Sequence, residues 1–473
     1  MRPHRLRLGL ALPWLGLAAC SAGDGENAIS EPLVIESREG VLEATLDVRP
    51  SATRIGDRTV RGPAYNGAIP GPTLRVRPGD VVRIHLVNSL PPIADDGSGE
   101  HDESSATNLH YHGLHVSPDG DADNVFVHVH PGDFFDYEFQ IPENHPGGLY
   151  WYHPHHHGNV EHQLASGLAG AIVVEGELET IPEVAAARER ILFLNEIVID
   201  PDGNTTTAAH GPGAETTTLF PVNGMIEPTI DIRPGEVQRW RICAGNGDRF
   251  YRLALDGHVF TQIALDGNTF AEPLEASEIL LLPGNRVEVL VKGGAEGTFA
   301  LRALEYDRGG IFGPMPEVKL ATVVCDGRER DDPLPAVLVP PPAGPSSASV
   351  VATRDFTFDI MFDGPNVTFG VNRQPFDEDR IDAPVALDST EEWTISDRVG
   401  EEHPFHIHVN PFQVIEVNGT PVVNPVWQDT ARVPRYGSIK IRTTFADFPG
   451  KSVFHCHIAA HSDLGMMAVF DAQ

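Results

Sequence analysis

Residues 454–466 of the chain read FHCHIAAHSDLGM, in which Cys456 stands between two histidines. His461 follows five residues after the cysteine and Met466 follows ten residues after it. Because successive side chains of a strand point to opposite faces, His455 and His457 are expected to face away from Cys456, toward a second centre. Thiolate, imidazole and a weak thioether are ligands of blue-copper electron-transfer sites. This stretch supplies all of them except the second histidine of such a site. The alternative is a buried strand that carries histidines by chance, and five ligand-type residues among twelve argue against it.

A strand–turn–strand pattern occurs three times along the chain. The first copy is IPGPTLRVRPGD at residues 69–80, followed by an alternating strand at residues 81–88. The second copy is VNGMIEPTIDIRPGE at residues 222–236, followed by a strand at residues 237–243. A fainter third copy runs from residue 370 to residue 395. Repeats of this length predict three related all-β domains.

Histidine pairs occur in the first and third repeats and are missing from the second. NLHYHGLHV at residues 108–116 is similar to HPFHIHV at residues 403–409, and GLYWYHPH at residues 148–155 is similar to KSVFHCH at residues 451–457. We therefore expect the first and third domains to carry the metal. The middle domain is expected to serve as a spacer and as a wall for the substrate.

The four histidine motifs, in this order, resemble the complete ligand set of the multicopper oxidases, a family that includes laccases, bilirubin oxidases and cuprous oxidases. The resemblance covers nearly all of the chain after its first segment. It implies three cupredoxin-like Greek-key β-sandwich or barrel domains and four copper ions per chain. It also implies a trinuclear copper cluster between the first and third domains, with dioxygen as the electron acceptor.

The resemblance also implies a role for each ligand position. It assigns the type 1 copper to His403, Cys456, His461 and the axial ligand Met466, and the type 2 copper to His110 and His406. The two type 3 coppers are assigned to His112, His153 and His457, and to His155, His408 and His455. A thioether in the axial position lowers the redox potential, so a moderate potential is expected.

Two carboxylates are candidates for supplying protons. Asp123, eleven residues after His112, matches an acidic residue that the family has near its copper cluster. Asp463 follows closely after His461 and is the second candidate. The alternative for each carboxylate is a solvated group on the surface or in a turn. Five further histidines are expected to be hydrogen-bonding or surface groups: His115, His128, His130, His156 and His157.

The composition agrees with an all-β metalloprotein. Its 46 Gly and 40 Pro favour short strands and turns, and 22 His against four Cys indicate metal binding. A formal net charge of −33 argues against a nucleic-acid partner, because phosphate binding needs clustered Lys and Arg. We predict domains at residues 31–180, 183–330 and 350–473, with a Pro-rich surface linker at residues 331–349.

The first twenty residues predict export. Basic residues precede an apolar run, and LAAC at residues 17–20 resembles the lipobox of bacterial lipoproteins. We expect a signal peptide over residues 1–20, a flexible leader over residues 21–30 and a lipid on Cys20 that tethers the protein in the cell envelope, at the periplasm or outer membrane. An ordinary signal peptide cut nearby is the alternative. Cys243 and Cys325 either form a disulfide in this oxidising compartment or remain buried thiols.

Several activities are compatible with the motifs. The first is a monomeric laccase-like enzyme that oxidises phenols or aromatic amines and reduces dioxygen to water. The second is a metallo-oxidase acting on Fe(II), Mn(II) or Cu(I), although six Met without a Met-rich run weaken the Cu(I) version. A non-enzymatic scaffold and a two-domain copper nitrite reductase fit poorly, because every ligand position is filled and three repeats are present.

Overall fold

The computed structural model describes residues 27–92, 105–207, 215–310, 313–345, 347–364 and 366–473. The predicted signal peptide, Cys20 and residues 21–26 of the predicted leader lie outside these ranges. Within the ranges, no helix combines the length and the apolar character that a membrane crossing requires.

The first domain is a sandwich of two β-sheets. Its strands are β1 (Val34–Glu36), β2 (Val41–Ile55), β3 (Arg58–Tyr65), β4 (Thr73–Val76), β5 (Val81–Asn88), β6 (His110–His112), β7 (Phe134–Gln140), β8 (Gly148–His153) and β9 (Gly170–Val174). One sheet has the order β1-β4-β9-β8-β6 and the other has the order β3-β2-β5-β7. The two strands that carry histidine pairs, β6 and β8, are therefore neighbours.

The second domain repeats the sandwich. Its strands are β10 (Arg188–Leu194), β11 (Ile197–Ile199), β12 (Thr217–Leu219), β13 (Thr229–Ile232), β14 (Val237–Ala244), β15 (Tyr251–Leu255), β16 (Phe260–Leu265), β17 (Asn268–Ala276), β18 (Glu278–Leu281), β19 (Arg286–Lys292), β20 (Gly297–Leu304) and β21 (Val318–Cys325). The two main sheets have the orders β10-β14-β19-β16-β17 and β13-β21-β20-β15-β18, and β11 pairs with β12.

The third domain carries the second set of histidine strands. Its strands are β22 (Val350–Asp363), β23 (Asn366–Val371), β24 (Ala383–Val385), β25 (Ser389–Asp397), β26 (His403–Ile407), β27 (Phe412–Val417), β28 (Thr420–Pro421), β29 (Trp427–Gln428), β30 (Thr430–Val433), β31 (Ser438–Phe445), β32 (Gly450–Cys456) and β33 (Met467–Ala472). The sheets have the orders β23-β22-β25-β31-β27-β28, with β29 also on β27, and β24-β33-β32-β26-β30.

Helices are few and short in the described ranges. They are α1 (Val160–Ala165), α2 (Pro182–Ala186), α3 (Ala459–Asp463) and the 3-10 turns Glu177–Thr180 and Ser347–Ser349. Helix α3 holds His461 and therefore bears directly on the site.

The strand–turn–strand repeat makes the same connections in all three domains. The short strand before the turn pairs in parallel with the last strand of its domain: β4 with β9, β13 with β21, and β24 with β33. The longer strand after the turn pairs in parallel with an early strand: β5 with β2, β14 with β10, and β25 with β22. The fold predicted from the repeats, three related all-β domains, is confirmed.

The three domains also share a buried apolar cluster, which holds them in one arrangement around the site. Leu149 and Trp151 from the first domain, Phe193 and Cys243 from the second, and Ala459 from the third belong to it. Each is at most 3% exposed. Burial of apolar surface at this junction stabilises the interface by roughly 25 cal/mol per Å² removed from water.

The tertiary structure refines two expectations and decides between the two alternatives for Cys243 and Cys325. Residues 27–29 of the leader contact the second domain, where Ile29 donates a backbone hydrogen bond to Thr229 at the edge of β13. The linker is not wholly on the surface, since Leu338 is only 6% exposed and packs against the second domain. Cys243 and Cys325 are buried free thiols rather than a disulfide, because they belong to separate apolar clusters.

Candidate metal centre

Antiparallel pairing brings the histidine motifs together within each outer domain. In the first domain, β6 pairs with β8 and His110 lies opposite His153. In the third domain, β26 pairs with β32 and His406 lies opposite His455. All residues of β8 and β26 are buried. The motifs therefore lie where both sheets are shielded from solvent.

Eight predicted ligands form one cluster of imidazole rings between the first and third domains. This cluster, the histidine nest, consists of His110, His112, His153, His155, His406, His408, His455 and His457. Two stacked pairs cross the domain boundary, His110 with His408 at 3.7 Å between ring centroids and His112 with His406 at 3.9 Å. Every ring of the nest is at most 3% exposed.

Burial keeps the imidazoles of the nest neutral. Loss of solvation lowers the pKa of His455 to about 4. The same cause, followed by the charges of neighbouring groups, lowers the pKa of the other seven rings well below the ordinary value of histidine. Neutral imidazole is the form that binds a metal ion, because one ring nitrogen then carries a lone pair.

Several ring nitrogens of the nest face one another at short distances. His155 Nε2 and His408 Nε2 lie 3.1 and 3.2 Å from His455 Nε2. His112 Nδ1 lies 3.2 Å from His457 Nε2. Nitrogens that converge in this way on a buried point are the arrangement expected of ligands that share a metal ion.

Other ring nitrogens in the nest have no hydrogen-bond partner among the described residues. They are Nε2 of His110, His153 and His406, and Nδ1 of His408 and His457. A buried polar atom without a partner costs about 1–3 kcal/mol, so this concentration of unsatisfied nitrogens is explained if metal ions are their partners. A cluster of imidazole nitrogens suits copper.

The grouping of the nest ligands agrees in part with the family assignment. His155, His408 and His455 form a compact set of potential ligands, as assigned. His110 lies close enough to share a metal ion both with His112 and His153 and with His406 and His408. The structure brings all eight nest ligands together, and their division among individual ions stays a prediction.

Cys456 lies in a second site, the sulfur site, in the core of the third domain. Its Sγ is 3.4 Å from His403 Nδ1 and 3.7 Å from His461 Nδ1. Met466 is fully buried in the same core, and its N–H donates to the carbonyl of His461 while its own carbonyl accepts from Cys456. Burial raises the pKa of the Cys456 thiol, so a bound cation has to displace a proton from it.

Carboxylates orient one histidine in each site. Both oxygens of Asp123 lie 3.0 Å from His110 Nδ1, and one of them accepts the Tyr111 N–H at 2.9 Å. Asp397 Oδ1 lies 3.3 Å from His403 Nε2. A carboxylate on the outer nitrogen sets the tautomer and leaves the inner nitrogen free to bind metal. Burial raises the pKa of Asp123 well above its ordinary value.

Asp429 is a site residue that the sequence motifs do not reveal. It is 3% exposed, and its Oδ1 lies 3.1 Å from His112 Nε2. Its backbone carbonyl lies 2.8 Å from His406 Nδ1. No histidine spacing marks Asp429, and only the fold brings it to the nest.

Asp463, the second predicted proton donor, has a different position. Its carboxylate accepts the backbone N–H groups of Gly158 and Glu161 at 2.8 and 2.7 Å. It therefore joins the start of α1 in the first domain to α3 in the third domain. Burial raises its pKa to about 7. These contacts give it an interdomain structural role, and its part in proton supply stays a prediction.

The remaining histidines lie beside the nest. His115 Nδ1 is 2.8 Å from a backbone carbonyl of the third domain. His156 Nε2 is 3.1 Å from His128 Nδ1, and His130 lies 6.4 Å from His128 between ring centroids. His157 packs against a phenylalanine ring. Hydrogen bonding and packing are the contacts observed for this group.

An acidic cavity of about 80 Å³ lies next to the sulfur site. Glu161, Glu196 and Asp248 line it, together with Ala459 and Ala460 of α3, which directly precede His461. Burial, followed by the charge of Asp248, raises the pKa of Glu196. Carboxylates that lie close together and are poorly solvated are stabilised by a bound cation.

The chain matches known proteins over most of its length. Three family models described as multicopper oxidase match residues 48–179, 150–316 and 341–473. The Staphylococcus aureus multicopper oxidase mco is 26% identical over 460 residues, which cover 94% of this chain and 93% of that protein.

Solved structures are also similar. The multicopper oxidase of Campylobacter jejuni, described as a metallo-oxidase, is 25% identical with a TM-score of 0.78, covering 95% of this chain and 96% of that chain. The laccase-like multi-copper oxidase of the lignin-degrading bacterium Ochrobactrum sp., described as having oxidase activity towards lignin model compounds and lignosulfonate, is 26% identical with a TM-score of 0.75, covering 93% of this chain and 99% of that chain. The ligand geometry, the three β-sandwiches and these matches agree that the chain belongs to the multicopper oxidase family, copper-dependent oxidoreductases that use dioxygen.

Proposed function

We propose that the protein is a monomeric laccase-like oxidase, which oxidises phenols or aromatic amines by one electron at a time and reduces dioxygen to water. The observation that supports this most is the pairing of the two sites: Cys456 faces the sulfur site while its neighbours His455 and His457 belong to the histidine nest. The similarity to a laccase-like relative that acts on lignin model compounds favours an organic reductant.

Four copper ions fit the side chains of the two sites. One would be held by His403, Cys456, His461 and Met466, and three by the eight histidines of the nest. Copper in these positions would supply one-electron redox chemistry at the sulfur site and four-electron reduction of dioxygen in the nest. The buried ring nitrogens without partners support this loading.

The fold of the chain separates the oxidation of the reductant from the reduction of dioxygen. His461, in α3, is the ligand of the sulfur site beside the acidic cavity, whereas every ring of the nest is at most 3% exposed. Asp123 holds the outer nitrogen of His110 and, with its raised pKa, is the carboxyl placed to hold a proton beside the nest. Cys456 and its flanking histidines connect the two sites through one short stretch of strand β32.

A metal-ion reductant is the second candidate. The acidic cavity favours it, because Glu161, Glu196 and Asp248 line it and carboxylate oxygens are ligands for Fe(II) or Mn(II). The similarity to a relative described as a metallo-oxidase points in the same direction. An aromatic amine that carries a positive charge would be attracted by the same carboxylates.

Oxygen uptake distinguishes the two reductants. The copper-loaded protein is supplied in turn with 2,6-dimethoxyphenol, Fe(II), Mn(II) and Cu(I), and kcat/KM is measured for each. We expect the phenol to give the highest kcat/KM and Glu196→Gln to leave its KM unchanged. Two results together would replace the laccase assignment by the metallo-oxidase. One is a much higher kcat/KM for a metal ion than for the phenol. The other is a KM for that metal ion that rises in Glu196→Gln but not in the exposed control Glu275→Gln.

Replacing the axial ligand tests the sulfur site. Met466→Leu keeps the volume of this buried side chain, so the loss of stability is expected to stay below about 1.5 kcal/mol. The redox potential of the sulfur site should rise, because a weak donor to the metal is removed. A spectroelectrochemical titration of the visible absorption band measures the potential, and an unchanged potential would exclude Met466 as a ligand.

We also propose that the protein works outside the cytoplasm, tethered to the cell envelope through lipid on Cys20. The basic and apolar segments and the LAAC sequence at residues 17–20 support this location. Mass spectrometry of the protein extracted from membranes would show the added acyl mass on Cys20, and Cys20→Ser should release the protein into the soluble fraction.

A further inference from the structure

We infer that Arg286 of the middle domain is a positioning residue for the histidine nest, where it holds Asp429 so that Asp429 fixes the tautomer of His112. The inference rests on the proposed function only in treating His112 as a copper ligand. It changes the role of the middle domain, which the sequence indicates to be a spacer and substrate wall.

Arg286 joins all three domains through its guanidinium group. It stands at the start of β19 and is completely buried. Nη1 and Nη2 donate to the two oxygens of Asp429, in the third domain, at 2.9 and 2.7 Å. Nε donates to the carbonyl of Leu149, in the first domain, at 3.0 Å, and Nη1 also donates to the carbonyl of Gly284 at 3.1 Å. Such a two-pronged contact restricts the orientation of the Asp429 carboxylate.

Both oxygens of Asp429 accept hydrogen bonds from the guanidinium group of Arg286. A carboxylate in a dry interior is costly unless a cation pairs with it, and Arg286 supplies that cation. Asp266 is a second buried carboxylate of the cluster, with Oδ1 3.6 Å from Arg286 Nη1. Asn285 and the backbone of Arg286 donate to Asp266. The single guanidinium group therefore lies between two buried carboxyl groups.

The contact with Asp429, whose two oxygens accept from Arg286, determines which nitrogen of His112 carries the proton. Its Oδ1 lies 3.1 Å from His112 Nε2, and a carboxylate can only accept a hydrogen bond. His112 must then carry its proton on Nε2, which leaves the lone pair on Nδ1. That nitrogen is the one that lies 3.2 Å from His457 Nε2, inside the nest. Arg286 thus acts on the metal ligand through one intermediate residue.

The turn before Arg286 packs directly on the nest. Gly284 has φ +92°, and a Cβ at this position would lie 2.9 Å from His112 Cε1 and 3.1 Å from His457 Nε2. The side chain of Asn285 donates to the carbonyl of Thr430 at 3.0 Å and fixes the turn against the third domain. Residues 282–286 of the middle domain therefore form a wall of the nest that leaves no room for a side chain at Gly284.

The test compares Arg286→Gln with Arg241→Gln as a matched control. Arg241 is equally buried in the same sheet, and its ion pairs within the described residues are with glutamates: Glu179, Glu189 and Glu288. Three readouts are taken: the His112 tautomer by ¹⁵N NMR of the metal-free protein, the copper content, and the fraction of copper seen by electron paramagnetic resonance. A strongly coupled pair of copper ions gives no electron paramagnetic resonance signal.

We expect Arg286→Gln to release the His112 proton from Nε2, to lower copper affinity in the nest about 10- to 100-fold, and to make formerly silent copper visible. The visible band of the sulfur site should stay. Arg286→Lys keeps the positive charge but cannot make the two-pronged contact with Asp429. Its copper affinity and its fraction of visible copper should lie between those of the wild type and of Arg286→Gln. Arg241→Gln should lower Tm but keep the tautomer and the silent pair.

Two results would overturn the inference. One is an Arg286→Gln protein with the wild-type tautomer and copper signals. The other, available even if that variant does not fold, is wild-type metal-free protein with the His112 proton on Nδ1. Failure of the proposed function is seen separately, as wild-type protein that binds copper but does not consume dioxygen with any reductant.

Discussion

Replacing Cys456 with serine is expected to remove the intense visible absorption of the copper-loaded protein and to reduce oxygen consumption to background. Serine keeps the size of the side chain but offers no thiolate, which is the ligand that gives a blue-copper site its absorption and its electronic connection. The nest should keep its arrangement, because His455 points to the opposite face of β32 from Cys456 and the other seven histidines lie outside this strand. Absorption spectra and oxygen uptake of the same sample provide the measurement.

Cys325→Ser is the matched control for this experiment. Cys325 is also a buried free thiol, 1% exposed, but it belongs to the core of the middle domain. Its replacement should lower stability and leave the colour and the turnover intact. Oxidase activity that survives in Cys456→Ser would contradict the connection between the two sites through this strand.

Replacing Asp123 with asparagine is expected to slow the reaction with dioxygen about 10- to 100-fold, the usual cost of losing a residue that orients a metal ligand. Asparagine keeps the shape, but it can no longer exchange a proton or present two acceptor oxygens to His110 and to the Tyr111 N–H. Stopped-flow absorption separates the two halves of the cycle. Reduction of the sulfur site by a phenol should keep its rate, and reoxidation by dioxygen should become slow.

Asp463→Asn is the control for Asp123→Asn, because it removes a buried carboxylate from an interdomain contact. Asp463 receives hydrogen bonds from the start of α1, so its loss should lower Tm. If Asp463 is only an interdomain contact, reoxidation by dioxygen should keep the wild-type rate. Equal slowing in both variants, with the same fall in Tm, would show that the effect of Asp123→Asn is not specific to the orientation of His110.

The metal ligands could be predicted from local spacing. A pair such as His110 and His112, or the triplet around Cys456, depends on strand alternation alone, and alternation is a property of any extended backbone. The strand–turn–strand repeat was equally predictable, because an Asp or Glu after Pro-Gly accepts a backbone N–H of its own turn, as Asp80 does from Arg77.

Other positions followed from contacts that spacing does not encode. Asp463 stands two residues after a predicted ligand, yet the direction of helix α3 turns it toward α1 rather than toward the nest. Leader residue Ile29 contacts the middle domain because strand β13 offers it a hydrogen-bond partner 200 residues away in sequence (Ile29 to Thr229). Such pairings become visible only when the strand edges are assembled.

The sequence was sufficient for the identity of the ligands and for the three β-domains, because coordinating side chains and strand periods are local features. The folded arrangement was needed to find Arg286, Asp429 and the turn at Gly284 around His112. Arginine and aspartate are common residues without a characteristic spacing. The role of a buried ion pair depends on its neighbours, and here three separate domains bring those groups within 3.1 Å of one another.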